Sequence, residues 1–144
     1  MTTQFRSLGV ADTEAYGKKI GETLSGNEVI ALYGGLGMGK TAFVRGLAAG
    51  LGIDGGEVSS PTFALVHEYR GRLTLYHFDM YRVQGWDDLY STGFFDYLDT
   101  GAVLVIEWSE NIEGALPQGA KRIAIAPGEQ EYERIFTIEG DETL

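Results

Sequence analysis

Val29-Ile30-Ala31-Leu32-Tyr33 runs into Gly34-Gly35-Leu36-Gly37-Met38-Gly39-Lys40-Thr41, and from there into Ala42-Phe43-Val44-Arg45-Gly46-Leu47-Ala48-Ala49-Gly50-Leu51-Gly52. An apolar run feeds a glycine cluster, which ends in a lysine and a hydroxyl and opens into a second apolar pattern. This reads as strand, loop, helix. From Gly34, four residues lead to Gly39-Lys40-Thr41, the spacing of a phosphate-binding loop with its lysine and hydroxyl in register. A loop that wraps a chain of phosphates must turn its backbone N–H groups inward through positive-φ positions with no Cβ in the way, and the glycines supply that freedom. Lys40 then places a point charge between the outer phosphates, and the Thr41 hydroxyl stands ready for Mg²⁺ at the start of a helix whose N-terminus favours anions. After Thr41, Phe43, Leu47 and Leu51 recur every four residues beside Val44 and Ala48, giving one apolar face, and Gly52 stands where a C-terminal cap belongs.

The whole chain limits what can surround this loop. Its 144 residues suit one domain, residues 1–144, with a real core and no room for a second catalytic module. No run approaches membrane-spanning length, and the first ten residues lack the basic-then-apolar layout of a signal peptide, so a soluble, cytoplasmic protein is expected. Zero cysteines exclude disulfides and thiolate metal sites, and only His67 and His77 remain as imidazole ligands, which argues against zinc. Eleven basic against 21 acidic residues give a net charge of −10, with no basic run longer than Lys18-Lys19, so strong direct binding to nucleic acid is not expected. A nucleotide is not excluded, because loop N–H groups, Lys40 and Mg²⁺ act locally, within a Debye length of ~8 Å.

In chain order, Gln4 to Leu8 predicts a short strand. Asp12 is the candidate N-cap of a helix carrying Tyr16, Ile20 and Leu24 at spacing four, ending at Ser25-Gly26-Asn27. Beyond the phosphate loop and its helix, Ser59-Ser60-Pro61-Thr62-Phe63 reads as a Ser/Pro turn, with its hydroxyls also placed where a γ-phosphate sensor would lie. Phe63 to Tyr69 and Leu73 to Phe78 flank Arg70-Gly71 and predict a hairpin. The second of these strands ends in Asp79, and Ala102 to Ile106 forms a more continuous apolar strand ending in Glu107. A carboxylate at the end of an apolar strand matches the position from which Mg²⁺ or its water shell is reached, and either residue fits it. Between them, Gly85 to Leu98 predicts two short helices broken at Gly93. Arg122 to Ala126 and Arg134 to Ile138 predict a closing strand pair. The fold class is α/β, a three-layer P-loop domain whose sheet is mixed because of the hairpin.

Taken together, GGLGMGKTAFVRGL, SSPTFALVHEY, LYHFDMYR and VIEW resemble the TsaE family, small bacterial ATPases of tRNA threonylcarbamoyladenosine synthesis, from the helix near Thr13 to about Leu116. The resemblance implies that Gly35, Leu36, Gly37, Met38, Gly39, Lys40 and Thr41 bind ATP, that Thr41 and Glu107 ligate Mg²⁺, and that Asp79 serves hydrolysis. It also implies that Thr13 and Arg134 approach the nucleotide. Two departures stand out: the family usually has Asp at the position of Gly35 and often Ala at that of Met38. The implied role is auxiliary. The family's ATPase works with a heterodimer of ASKHA-fold proteins, a threonylcarbamoyl transferase and its non-catalytic partner, that modifies adenosine 37 of tRNAs reading ANN codons.

On this reading Lys40 and loop N–H groups stabilise phosphate charge, Asp79 positions or deprotonates the attacking water, and Thr62 senses the γ-phosphate, with Asp79 and Glu107 able to exchange roles. Arg82 is a transition-state or partner contact or a plain surface arginine. Two competing readings are a small-molecule kinase, which wants an arginine-bearing lid that the sequence does not show, and a nucleotide-dependent binding switch with incidental hydrolysis. A guanine-specific GTPase is disfavoured, since no Asn-Lys-x-Asp segment occurs.

Overall fold

Val29–Tyr33 (β2), apolar throughout, and Val103–Glu107 (β5), apolar up to its terminal glutamate, lie side by side in the middle of the sheet, where both faces are covered. The computed structural model describes residues 2–34, 39–59 and 65–139. Around the central pair the chain adds β1 (Thr2–Ser7), α1 (Val10–Thr23), α2 (Lys40–Gly50), β3 (Val66–Arg70), β4 (Thr74–Asp79), α3 (Trp86–Ser91), β6 (Lys121–Pro127) and β7 (Arg134–Glu139). Among the described residues the sheet has seven strands in the order β1-β7-β6-β2-β5-β4-β3. β6, β2, β5 and β4 run parallel, while β3 and β7 are antiparallel to their neighbours and β1 is antiparallel to β7. The mixed α/β sheet expected from the sequence is thus present. Its directions bring the carboxyl ends of β1, β2, β4, β5 and β6 to one edge, together with the first residue of β7.

Strand alternation divides the core in two. Ile30, Leu32, Leu75, Val103, Val105, Ile123 and Phe136 face α1 and α2, whereas Val29, Phe78, Leu104 and Ile106 face α3 and the turns around it. The second layer is thin, being α3 plus 3₁₀ turns at Phe94–Tyr97 and Ser109–Ala115, with Gly93 at φ 73° between the two short helices as expected.

α1 and α2 cross with their backbones almost touching, because glycine occupies the contact on both sides. A Cβ at Gly46 would stand 2.0 Å from the Glu14 carbonyl oxygen, and one at Gly17 would stand 2.4 Å from that of Phe43. α2 ends as its sequence predicts. Gly52 takes φ 80°, its N–H donates to the Ala49 carbonyl and the Ile53 N–H to that of Ala48, a paired C-terminal cap. The start of α1 differs from expectation. The helix begins two residues before Asp12, behind Gly9, and Asp12 Oδ2 instead accepts from the Leu8 N–H at 2.9 Å. Asp12 therefore reaches back from the first turn, where its charge also favours the helix dipole. At the far end Arg72, in the β3–β4 turn, donates to the Gly21 and Leu24 carbonyls, both at 2.9 Å, and closes α1.

Candidate functional site

β2 delivers the chain to the sheet edge at Tyr33, and α2 leaves from it at Lys40. Gly39 precedes the helix at φ 89°, a left-handed conformation that glycine adopts without penalty. Gly35, Leu36, Gly37 and Met38 lie outside the described residues, as does Thr62. Lys40 is 5% exposed. Its Nζ donates to the Gly34 carbonyl at 2.8 Å and sits 4.5 Å from the centroid of the Trp108 ring. Among the described residues no carboxylate comes within ion-pair distance of it. A buried ammonium that, among the described residues, is held by a carbonyl and a ring face is strongly disposed toward an anion, since burying a charge is costly until it is paired. Thr41 follows, half-buried in the first turn of α2.

Two strand-end carboxylates lie at the same edge of the sheet. Asp79 closes β4 and Glu107 closes β5, and the two are direct register partners across a parallel pair. The same alternation that aims Leu75, Val103 and Val105 at α2 aims Asp79 and Glu107 to that face. Both are buried, at 7% and 5% exposure. Asp79 Oδ1 accepts from the Tyr81 N–H at 2.9 Å, and the Met80 N–H donates to the Glu107 carbonyl at 3.0 Å, so the two strand ends brace each other. Glu107 Oε2 lies 2.5 Å from Nε2 of His77. Immediately after Glu107 the chain turns through Trp108 at φ 59°, a conformation that costs a non-glycine residue of order 1 kcal/mol or more. That turn carries the indole back over Lys40, with Tyr81 packed against it at 4.8 Å between centroids.

The remaining predicted residues fall along the same edge. Thr13 is 3% exposed, with its hydroxyl 2.7 Å from that of Ser7. Ser7 is the register partner of Arg134, so Thr13 and Arg134 are brought together. They stand at β1 and β7, with β1 three strands from β2, roughly 14 Å at ordinary strand spacing. Arg134 donates to the Glu131 and Glu133 carbonyls at 2.7 and 2.8 Å. Arg82 lines an open cleft of about 540 Å³ with Tyr81, Gln84, Trp108 and Asn111. At the root of the loop, the Tyr33 hydroxyl donates to Glu113, which also receives Arg122 Nε at 2.9 Å. Burial, then the neighbouring Glu113, pushes the Tyr33 phenol well up, and the Tyr33 hydrogen bond in turn holds the Glu113 carboxyl below its usual range.

Sequence reasoning missed two contacts. It treated His77 only as a spare imidazole and gave Trp108 no role. Period-two spacing places residue 77 on the face of residue 79 and was the available signal for the first. The second depends on the left-handed turn at Trp108, which no residue type in that stretch announces.

A family model described as "Threonylcarbamoyl adenosine biosynthesis protein TsaE" matches residues 9–136. The chain belongs to the TsaE family. It is 42% identical over 119 residues to the tRNA threonylcarbamoyladenosine biosynthesis protein TsaE of Treponema pallidum, covering 83% of this chain and 87% of that one. The TsaE protein of Bacillus subtilis is 38% identical over 140 residues, covering 96% and 87%. Among solved structures, that of YdiB from Bacillus subtilis superposes with a TM-score of 0.78 at 31% identity, over 97% of this chain and 86% of that one. Family membership ties the chain to the biosynthesis of threonylcarbamoyladenosine in tRNA. No helix among the described residues is long and apolar enough to cross a membrane.

Proposed function

We propose that the chain is a Mg²⁺-dependent ATPase that supports formation of threonylcarbamoyladenosine in tRNA through protein partners. The observation that carries this is the buried Lys40 ammonium, without a carboxylate partner among the described residues, on the same sheet edge as two buried strand-end carboxylates. A triphosphate would supply the charge that Lys40 lacks.

The donor set fits Mg²⁺ in the way that ion is usually held. No cluster of three or more His, Cys, Asp and Glu among the described residues forms a ready-made cage. Mg²⁺ keeps several waters and is bound through one or two protein oxygens plus substrate phosphates. Thr41 and Glu107 would hold it. Glu107 Oε2 is engaged by His77, and among the described residues nothing hydrogen-bonds to Oε1. When bound, the metal would supply charge neutralisation at the phosphates. The protein's own part is to position: Lys40 meets the phosphates, α2 presents its N-terminus, and Asp79, braced through Oδ1, orients the attacking water or takes its proton. Asp79 and Glu107 are close enough in register that an exchange of these two roles is the alternative assignment.

A net charge of −10 favours action through proteins over direct grip on tRNA. The fitting partners are the two ASKHA-fold proteins that carry out threonylcarbamoyl transfer. Reconstituting tRNA modification with and without this chain and ATP tests the role. Multiple rounds of modification supported equally by a non-hydrolysable ATP analogue would instead make the chain a binding switch. Lys40→Ala is expected to abolish phosphate release, and unchanged turnover would sink the P-loop reading. Asp79→Ala that keeps full partner-stimulated hydrolysis would remove Asp79 from the water-activating role.

A further inference from the structure

His77 is fully buried at 0% exposure, on the face of β4 that carries Asp79 and one step back from the sheet edge. Its Nε2 is 2.5 Å from Glu107 Oε2, and among the described residues its Nδ1 has no hydrogen-bond partner. Those two contacts decide the tautomer. A proton on Nδ1 would leave an N–H orphaned beside Val105 in the strand core, and would set the Nε2 lone pair against a carboxylate oxygen. A proton on Nε2 leaves only a lone pair unsatisfied and makes the short contact a charge-assisted hydrogen bond.

We propose that His77 is the positioning residue for Glu107. As the Nε2–H tautomer it engages Oε2, locks the carboxylate's torsions and turns Oε1 outward to the edge where α2 begins. A glutamate has three side-chain torsions, and among the described residues His77 makes the one hydrogen bond to its carboxylate. The inference rests on reading Glu107 as the metal-side carboxylate. Outer-shell partners of this kind are worth 10- to 100-fold in metal affinity.

The test has two arms, both on the full chain. In the first, ¹⁵N NMR of the nucleotide-free, metal-free protein should show a proton on His77 Nε2, and an Nε2 that carries none overturns the proposal. In the second, binding of a non-hydrolysable ATP analogue is compared in Mg²⁺ and in EDTA for the wild type, His77→Phe, His77→Gln and Glu107→Gln. The gain in affinity conferred by Mg²⁺ should fall about 10- to 100-fold in H77F and return in H77Q, which restores an N–H at equal reach, and it should be lost in E107Q. Affinity in EDTA should not separate the wild type, H77F and H77Q. If H77F keeps the full Mg²⁺ gain while E107Q loses it, His77 does not position Glu107 and the metal reading stands. If the wild type shows no Mg²⁺ gain, the metal reading itself falls. Should H77F not fold, His77→Met fills the space without a donor and takes its place.

Discussion

Replacing Gly46 with alanine tests whether the approach of α1 to α2 sets the architecture of the site. The new Cβ would lie 2.0 Å from the Glu14 carbonyl oxygen, 2.7 Å from its carbon and 2.8 Å from Cα, all backbone atoms that no rotamer change can move. Ordinary contact begins near 3.4 Å, so α1 must retreat by about 1.4 Å. Overpacking of a core contact costs typically 1–3 kcal/mol, and a clash this deep belongs at about 3. Alanine gives back about 1 kcal/mol of helix propensity. The net is a loss of about 2 kcal/mol, or roughly 4–8 °C in Tm for a domain of this size. Calorimetry or urea unfolding of the isolated chain reads it directly. Gly114→Ala is the control, because its nearest neighbour, the Trp86 ring, stands at an ordinary 3.8 Å. A Gly46→Ala chain as stable as wild type, or more stable, would refute the reasoning, since propensity alone would then decide the sign.

Other expectations follow from single contacts. In Trp86→Phe, which leaves Trp108 as the sole tryptophan, ATP should change the emission of Trp108 because the phosphates draw Lys40 from its place 4.5 Å over the ring. An unaltered spectrum on saturation would show that Lys40 stays where it is. Glu133, 3% exposed and bonded to Arg6 by two hydrogen bonds at 2.8 and 2.9 Å, has its carboxyl held below the usual range by that guanidinium. A lowered folded-state value means stability that is present above the ordinary carboxylate range and is lost as pH falls through the lowered one. Glu133→Gln should therefore flatten the decline of Tm with acid, and an identical acid slope would show that the pair contributes nothing.

Local chemistry made much of this protein readable in one dimension. Continuous apolar runs marked β2 and β5 as strands, Gly39 ahead of Lys40-Thr41 marked the start of α2, and Gly52 marked its end, because each depends on neighbours within a few residues. Asp79 and Glu107 were legible as strand ends. What the sequence could not say was that β4 and β5 are adjacent and in register, which sets the two carboxylates side by side. Nor could it choose the N-cap of α1, where Gly9 wins over Asp12 once Ser7 and Thr13 are hydrogen-bonded across the turn. Strand order, the glycine crossing of α1 on α2 and the return of Trp108 over Lys40 all depend on contacts between residues far apart in the chain. Those contacts exist only when the two faces of the sheet have been covered, and so they belong to the tertiary structure. They also decide that His77, a lone imidazole in the sequence, is the buried partner of Glu107.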